Sequence, residues 1–122
     1  MIGYVTLGTN DLARASKFYD ALLAEIGGKR MLESDRFVSW SAGEHSPGLG
    51  VIKPYDGKTA TFGNGTMVAL VVDSREKVDK LYNKALQLGG KDEGPPGVRW
   101  GNFYVGYFRD LDGNKLNAFC MG

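Results

Sequence analysis

The hydrophobic and polar positions in the first half of the chain predict one strand, one helix and three further strands. Residues 4–7 are short and β-prone. Residues 12–26 place apolar side chains at helical spacing, which predicts an amphipathic helix with one buried face. Asn10 or Asp11 offers the N-cap, and a Gly-Gly pair ends the helix. Three β-like segments follow, at residues 29–33, 37–41 and 49–53.

The same order of elements starts again in the second half of the chain. Residues 55–65 are polar and turn-rich, which indicates a linker. Residues 66–72 form a strongly apolar strand, and Asp73 or Ser74 caps a second helix, with Glu76 completing a capping box after Asp73. A second Gly-Gly pair ends this helix. Three more β segments follow, at residues 91–93, 103–109 and 115–120, with a Gly-Pro-Pro-Gly loop at 94–97.

Identical residues support this repeat when the first half is shifted by 63 positions. The matches are Val5 with Val68, Leu7 with Leu70, Lys17 with Lys80, Tyr19 with Tyr82 and Gly27 with Gly90. We therefore predict an α+β fold of two βαβββ modules related by pseudo-twofold symmetry, forming a curved mixed sheet with the helices outside. One βαβββ unit covers only one face of its sheet, so two units side by side can enclose a concave interior suited to a ligand. The expected arrangement is a single domain over 1–122, with module one at 1–54, the linker at 55–65 and module two at 66–122.

Composition and charge restrict the classes of partner. Apolar residues make up 43% and charged residues 24%, as in an ordinary globular domain. The 15 basic and 14 acidic side chains give a net charge of +1 without a basic stripe, so we expect no nucleic-acid partner. No apolar run is long enough to span a membrane, and no signal peptide is evident. With Cys120 as the only cysteine, these features predict a cytoplasmic protein.

Three segments resemble a known family. Residues 4–12, Tyr-Val-Thr-Leu-Gly-Thr-Asn-Asp-Leu, with Phe18-Tyr19 after them, are similar to the opening of the vicinal oxygen chelate superfamily of glyoxalases, bleomycin-resistance proteins and extradiol dioxygenases. Residues 66–70 resemble the start of its second module, and residues 107–116 resemble its final hairpin. The resemblance implies paired βαβββ modules, a small-molecule pocket within the curved sheet and, commonly, a homodimer.

Members of this family that catalyse reactions usually hold a divalent metal on the first and last strands of each module. Where such members commonly carry His, Gln or Glu, this chain has Tyr4, Gly50, Met67 and Asn117. Zinc and iron bind imidazole, carboxylate or thiolate donors, whereas glycine has no side chain, a thioether prefers soft metals, and phenol and amide groups are weak donors. This departure from the family pattern predicts no metal site and no cofactor.

Arg99, beside several aromatic residues, suggests a clamp for an anionic or planar ligand. Along residues 103–108 alternate side chains share a face, and the sequence leaves open which face lines the pocket. Trp40 lies on a strand where it faces either the pocket or the helix. The ligand-contacting residues we predict are Tyr4, Trp40, Gly50, Met67, Arg99, Trp100, Phe103, Tyr107, Asn117 and Phe119.

Other candidate motifs point to structure rather than to chemistry. His45, the only histidine, lies in a loop-like stretch, where a solvated surface residue is the commoner case than a catalytic base. Residues 110–114, Asp-Leu-Asp-Gly-Asn, lack the glycine and glutamate spacing of a calcium loop and match a hairpin turn. Cys120 has no charged neighbour in sequence that would activate its thiol.

These observations favour a glyoxalase/bleomycin-resistance-like protein that binds a small molecule in the concave sheet without a metal. One alternative is a lyase or isomerase of the glyoxalase type, for which the sequence identifies no catalytic residue. Another is an interaction domain whose interior is filled by its own side chains.

Overall fold

The computed structural model describes all 122 residues, which form two compact units, Met1–Phe62 and Gly63–Gly122. Each unit contains one strand, one helix and three further strands, in that order. The predicted α+β class and the repeated βαβββ unit are therefore confirmed. The boundary between the units falls inside residues 55–65, the segment expected to be a linker.

The first unit is a four-stranded sheet with one helix. Strand β1 is parallel to β4, the remaining neighbours are antiparallel, and the strand order is β1-β4-β3-β2. The Asp11 carboxylate accepts the Arg14 N–H at 3.0 Å and caps the helix. The helix ends at Ala24, two residues before the predicted end. The elements are β1 (Tyr4–Gly8), α1 (Leu12–Ala24), β2 (Lys29–Glu33), β3 (Phe37–Ser41) and β4 (Gly48–Ile52).

The second unit repeats this topology, with strand order β5-β8-β7-β6 and β5 parallel to β8. Ser74 is the N-cap of its helix, because the Ser74 hydroxyl accepts the Lys77 N–H at 3.2 Å. The capping box predicted at Asp73 is wrong: the Asp73 carboxylate instead pairs with the Lys77 ammonium at 2.9 Å. The elements are β5 (Val68–Val71), α2 (Arg75–Gln87), β6 (Lys91–Trp100), β7 (Phe103–Arg109) and β8 (Lys115–Met121).

Strand β6 corrects the prediction of a loop at 94–97. The Gly-Pro-Pro-Gly segment lies inside one long strand whose pairing with β7 shifts register at three places. Proline cannot donate a ladder hydrogen bond, so it is tolerated here because β6 is an edge strand and is bulged. Gly106 on β7 leaves room for the Pro96 ring, since a Cβ at Gly106 would lie 3.0 Å from Pro96 Cγ.

Helix α2 covers one face of the second sheet. Tyr104, Gly106 and Phe108 of β7 turn towards this helix, as their cross-strand partners on β8 also do. The Tyr104 hydroxyl donates to Asp79 at 2.6 Å, and the Tyr82 hydroxyl of α2 donates to Asp92 at 2.7 Å. The side chains of β7 that alternate with these three therefore point away from α2.

The register of the two sheets confirms which positions of the units are equivalent. Thr6 of β1 pairs with Gly50 of β4, and Ala69 of β5 pairs with Asn117 of β8. Gly50 and Asn117 therefore occupy the same position in their units, as expected when residues 46–52 are aligned with residues 113–119. No helix of the chain is long and apolar enough to cross a membrane.

Candidate functional site

The face of the second sheet turned away from α2 brings together most of the predicted ligand-contacting residues; we call it the helix-free face. Phe103, Val105 and Tyr107 of β7 lie on it. Val105 pairs with Phe119 on β8, and Tyr107 pairs with Asn117. Side chains directly opposite each other on paired strands share a face, so these five residues form one surface.

Three aromatic rings form a continuous group at one end of the helix-free face. Trp100 and Phe103 stack with their ring centroids 4.9 Å apart and their planes inclined by 20°. Phe103 in turn contacts Phe119, at a centroid distance of 5.4 Å. The Trp100 side chain is 69% exposed, so the indole presents unused aromatic surface to a ligand.

Two cations approach the ring of Tyr107 at the other end of the same face. The Arg99 guanidinium carbon lies 5.6 Å from the ring centroid, and the Lys115 ammonium nitrogen lies 5.3 Å from it. Neither cation is paired with a carboxylate. Lys115 was not among the predicted site residues, although its alternation with Asn117 and Phe119 along β8 places it on the same face.

Glycine residues of β6 make room for the Arg99 side chain. A Cβ at Gly97 would lie 3.1 Å from one terminal nitrogen of Arg99, and a Cβ at Gly94 would lie 3.2 Å from the other. The guanidinium also donates to the Pro95 carbonyl oxygen at 2.7 Å. The bulged strand therefore places this exposed cation beside Tyr107.

The Asn117 amide is the least satisfied polar group on this face. Its side chain is 2% exposed, and its nitrogen donates to the Met67 sulfur at 3.7 Å. Its carbonyl oxygen, Oδ1, is buried and accepts no hydrogen bond. An unpaired buried acceptor costs free energy, so the oxygen is suited to a donor group that the protein does not supply.

In the first unit, Tyr4 and Gly50 also lie on the sheet face turned away from the helix. Tyr4 pairs with Gly48, one pleat from the pair formed by Thr6 and Gly50. The Tyr4 side chain is 67% exposed. Ser39, which pairs with Gly50, has a buried hydroxyl without a hydrogen-bond partner, and nothing in the sequence distinguished this serine.

Trp40 does not lie with the other predicted site residues. It is on the side of the first sheet that faces α1 and is 1% exposed. Its indole nitrogen donates to Asp20 at 2.8 Å, and its ring lies 5.7 Å from that of Tyr19. Trp40 is thus part of the core of the first unit. On this face, next to Val38 and Leu49, its ring buries more apolar surface against the helix than it would on the helix-free side of the sheet.

The residues at the four expected metal-ligand positions do not fit a hard divalent cation. A side chain at position 50 would be tightly packed, since a Cβ there would lie 3.3 Å from Phe37 Cε2 and 3.3 Å from the Val38 carbonyl oxygen. In the second unit the donors are the Met67 thioether and the Asn117 amide, already in contact with each other. No group of three or more His, Cys, Asp or Glu side chains is placed to hold a metal.

Two surface clefts of the first unit contain none of the predicted site residues. One, of about 480 Å³, lies beside Arg30, Met31 and Glu44. The other, of about 300 Å³, lies beside Asn10, Arg36 and Lys58. His45 is exposed in the turn between β3 and β4, without a hydrogen bond to another residue.

The repeated βαβββ units, each a sheet with a helix on one face, define a class of small α+β proteins built from paired modules. Residues 1–118 match the family model described as the Glyoxalase/Bleomycin resistance protein/Dioxygenase superfamily. The chain belongs to this superfamily, which confirms the resemblance found in its sequence.

Solved structures agree with this assignment. A glyoxalase/bleomycin resistance protein from Albidiferax ferrireducens T118 is 33% identical, with a TM-score of 0.91 over 100% of this chain and 99% of that one. A hypothetical protein from S. aureus is 28% identical, with a TM-score of 0.77 over 98% of this chain and 92% of that one. Lactoylglutathione lyase from Agrobacterium tumefaciens shares the fold at 21% identity, with a TM-score of 0.72 over 98% of this chain and 92% of that one. The comparison with curated proteins gave no match.

Proposed function

We propose that this protein binds an organic small molecule on the helix-free face of its second sheet, without a metal ion. The observation that carries the proposal is Asn117 Oδ1, a buried acceptor without a donor, on the same sheet face as the group of three aromatic rings. Apolar walls with a few unpaired polar groups are the usual composition of a ligand site. The proposed contacts are Met67, Arg99, Trp100, Phe103, Tyr107, Asn117 and Phe119, with Tyr4 and Gly50 retained as candidates in the first unit.

A neutral fluorescent probe tests this proposal. N-phenyl-1-naphthylamine has an aromatic surface for Trp100 and one N–H group for Asn117 Oδ1. We expect saturable binding of one probe per chain, equal before and after dialysis against EDTA. Asn117→Leu and Trp100→Ala should each weaken binding about tenfold, because one removes a hydrogen bond and the other a stacking surface. Arg14→Gln, on the exposed first turn of α1, serves as the control.

Three results would contradict the proposal. The first is a probe that does not bind. The second is a probe that binds equally well to both site variants. The third is a stoichiometric zinc, nickel or iron ion that survives dialysis, measured by elemental analysis, because the donor set described above would then have been misjudged.

The alternatives predict different results in the same preparation. A lyase of the kind that the name lactoylglutathione lyase describes would turn over lactoylglutathione, and would lose activity on substitution of a proton-transferring side chain. An interaction domain with a filled interior would bind no probe. We prefer the binding protein because Asn117 leaves an acceptor to be satisfied, whereas no histidine or unpaired carboxylate lies on the helix-free face.

We further propose that the protein is a homodimer located in the cytoplasm. The support is membership of a superfamily in which dimers are common and a single, buried, unpaired cysteine. Sedimentation equilibrium should give twice the chain mass, and cell fractionation should find the protein with soluble markers. A monomer at micromolar concentration would contradict the first part.

A further inference from the structure

The helix-free face of the second sheet has an aromatic end and a cationic end. Phe119, which contacts the Trp100–Phe103 pair through Phe103, lies two residues from Asn117 along β8. Two residues of a strand span roughly 7 Å. The partner of Asn117 is Tyr107, whose ring receives the two cations. A ligand that covers both ends therefore needs a length comparable to that of two fused aromatic rings with one substituent.

The cationic end has a surplus of positive charge. Arg109 also lies on this face, but Glu93 neutralises it through an ion pair of 2.6 Å. The Asp92 carboxylate accepts hydrogen bonds from Tyr82 and from the Gly94 backbone. Arg99 and Lys115 thus remain without a counter-ion within the protein.

One hydrogen bond and one cation–π contact orient the exposed Arg99 side chain before any ligand arrives. Its guanidinium group is tied to the Pro95 carbonyl oxygen, and it lies where Gly94 and Gly97 have no side chains. A guanidinium group has five N–H donors, and the protein accepts one hydrogen bond from it here. The remaining donors are available to an anion at little cost in side-chain ordering.

We propose that the ligand is an aromatic organic anion, such as an aryl carboxylate. Its ring system lies on Trp100, Phe103 and Phe119, and its anionic group lies at the Tyr107 end, in the field of Arg99 and Lys115. This inference rests on the proposed function and adds the chemical class of the ligand. Charge-assisted hydrogen bonds to a carboxylate are stronger than those to a neutral group of the same shape, so the charge should dominate selectivity.

Calorimetric titration with three naphthalene derivatives separates charge from shape. The probes are 2-naphthoate, neutral 2-naphthamide and protonated 2-naphthylmethylamine. We expect 2-naphthoate to bind about tenfold more tightly than 2-naphthamide, and the amine to bind most weakly. The 2-naphthamide probe has N–H donors that can bind to Asn117, and 2-naphthoate has none. This difference favours the neutral probe, so tighter binding of 2-naphthoate would be observed in spite of it. The preference for the anion should decrease as salt is raised.

Substitutions then assign the preference to the two cations. Arg99→Gln and Lys115→Gln should each reduce 2-naphthoate affinity several-fold and leave 2-naphthamide affinity within about twofold. The matched control is Arg75→Gln, which removes the same charge from a cation–π contact with Tyr104 on the helix side of this sheet, 5.0 Å from the ring centroid. It should change neither affinity.

A fourth variant tests the position of Arg99 without removing it. Gly97→Ala places a methyl group 3.1 Å from one terminal nitrogen of Arg99, so the guanidinium must shift slightly from its position beside Tyr107. We expect the selectivity for 2-naphthoate over 2-naphthamide to decrease while the melting temperature changes little. Gly3→Ala, whose methyl group would meet nothing within 4 Å, is the control.

The outcomes distinguish this inference from the proposed function. Equal binding of 2-naphthoate and 2-naphthamide, or tighter binding of the amine, would overturn the anion assignment and leave small-molecule binding standing. Failure of all three derivatives and of N-phenyl-1-naphthylamine would overturn both. Unchanged selectivity in Arg99→Gln and Lys115→Gln would show that other groups select the anion and would overturn the proposed site.

Discussion

The Asn117 amide nitrogen donates to the Met67 sulfur at 3.7 Å, while the oxygen of the same amide is buried without a donor. In the first unit the equivalent positions carry Tyr4 and Gly50, where a Cβ on the glycine would meet Phe37 at 3.3 Å. Positions that hold metal ligands in catalytic relatives thus carry a soft thioether and an amide in one unit and a packed glycine in the other. This arrangement favours direct contact with an organic ligand.

Asn117→Leu should stabilise the protein while weakening probe binding. Leucine has a similar volume and removes an unsatisfied buried acceptor, so we expect the free energy of unfolding to rise by about 1 kcal/mol. Asn114→Leu is the matched control: Asn114 is also buried, but it donates to Asp110 at 2.9 Å. It should lose about 1–3 kcal/mol. Urea denaturation measures both, and an equal loss in the two variants would contradict our reading of Asn117.

Restoring a carboxylate at position 50 should fail to create a metal site. Gly50→Glu introduces a side chain against Phe37 and the Val38 carbonyl oxygen, so we expect a loss of about 1–3 kcal/mol in stability. Met67→His, at a residue that is 40% exposed, should be tolerated with a change below about 1 kcal/mol. Thermal melts with and without nickel test this. A Gly50→Glu/Met67→His protein of unchanged stability that binds nickel stoichiometrically would contradict this prediction.

Trp40→Phe should lower stability without affecting the ligand. The variant removes the indole hydrogen bond to Asp20 and leaves a small cavity, which together cost about 1–3 kcal/mol. N-phenyl-1-naphthylamine should bind with unchanged affinity, because Trp40 lies on the helix side of the first sheet. If the variant has normal stability but binds the probe weakly, Trp40 contacts the ligand and this prediction is wrong.

Stability should decrease at alkaline pH through Tyr82. Burial, and then the hydrogen bond to Asp92, raise the pKa of Tyr82 from 10.0 to about 12. A raised pKa in the folded state means that the stabilisation is complete below pH 10 and is lost as the pH rises towards 12. The hydrogen bond to Asp79 also raises the pKa of Tyr104, so part of the dependence persists in a Tyr82 variant.

Denaturation between neutral pH and pH 12 measures the Tyr82 contribution. Tyr82→Phe should lose about 1 kcal/mol at neutral pH and show a smaller decrease above pH 10. Tyr55→Phe, at a side chain that is 97% exposed, should match the unsubstituted protein throughout. Identical alkaline profiles for the Tyr82 variant and the unsubstituted protein would disprove this assignment.

Local sequence patterns were sufficient to predict the helices, most of the strands and the repeat of the βαβββ unit. The spacing of apolar residues in α1 and α2 has the helical period, and Asp11 and Ser74 mark where the helices begin. These signals depend on neighbours within a few residues, so they can be read without a partner strand. Strand β6 is longer than the sequence predicted, because pairing with β7 extends it through two prolines. Strand pairing depends on residues far apart in the chain, so the local pattern does not reveal it.

The sequence by itself determined the α+β class, the two βαβββ units, the family and the weak donors at the four metal-ligand positions. Only the tertiary structure decided which face of β7 is turned away from α2, that Trp40 belongs to the core, and that Lys115 joins Arg99 at Tyr107. The physical reason is that the side chains of a strand alternate between its two faces. The alternation shows which residues share a face, but it does not show which of the two faces the helix covers. Cross-strand register and helix packing assign the faces, and residues far apart in the chain supply both.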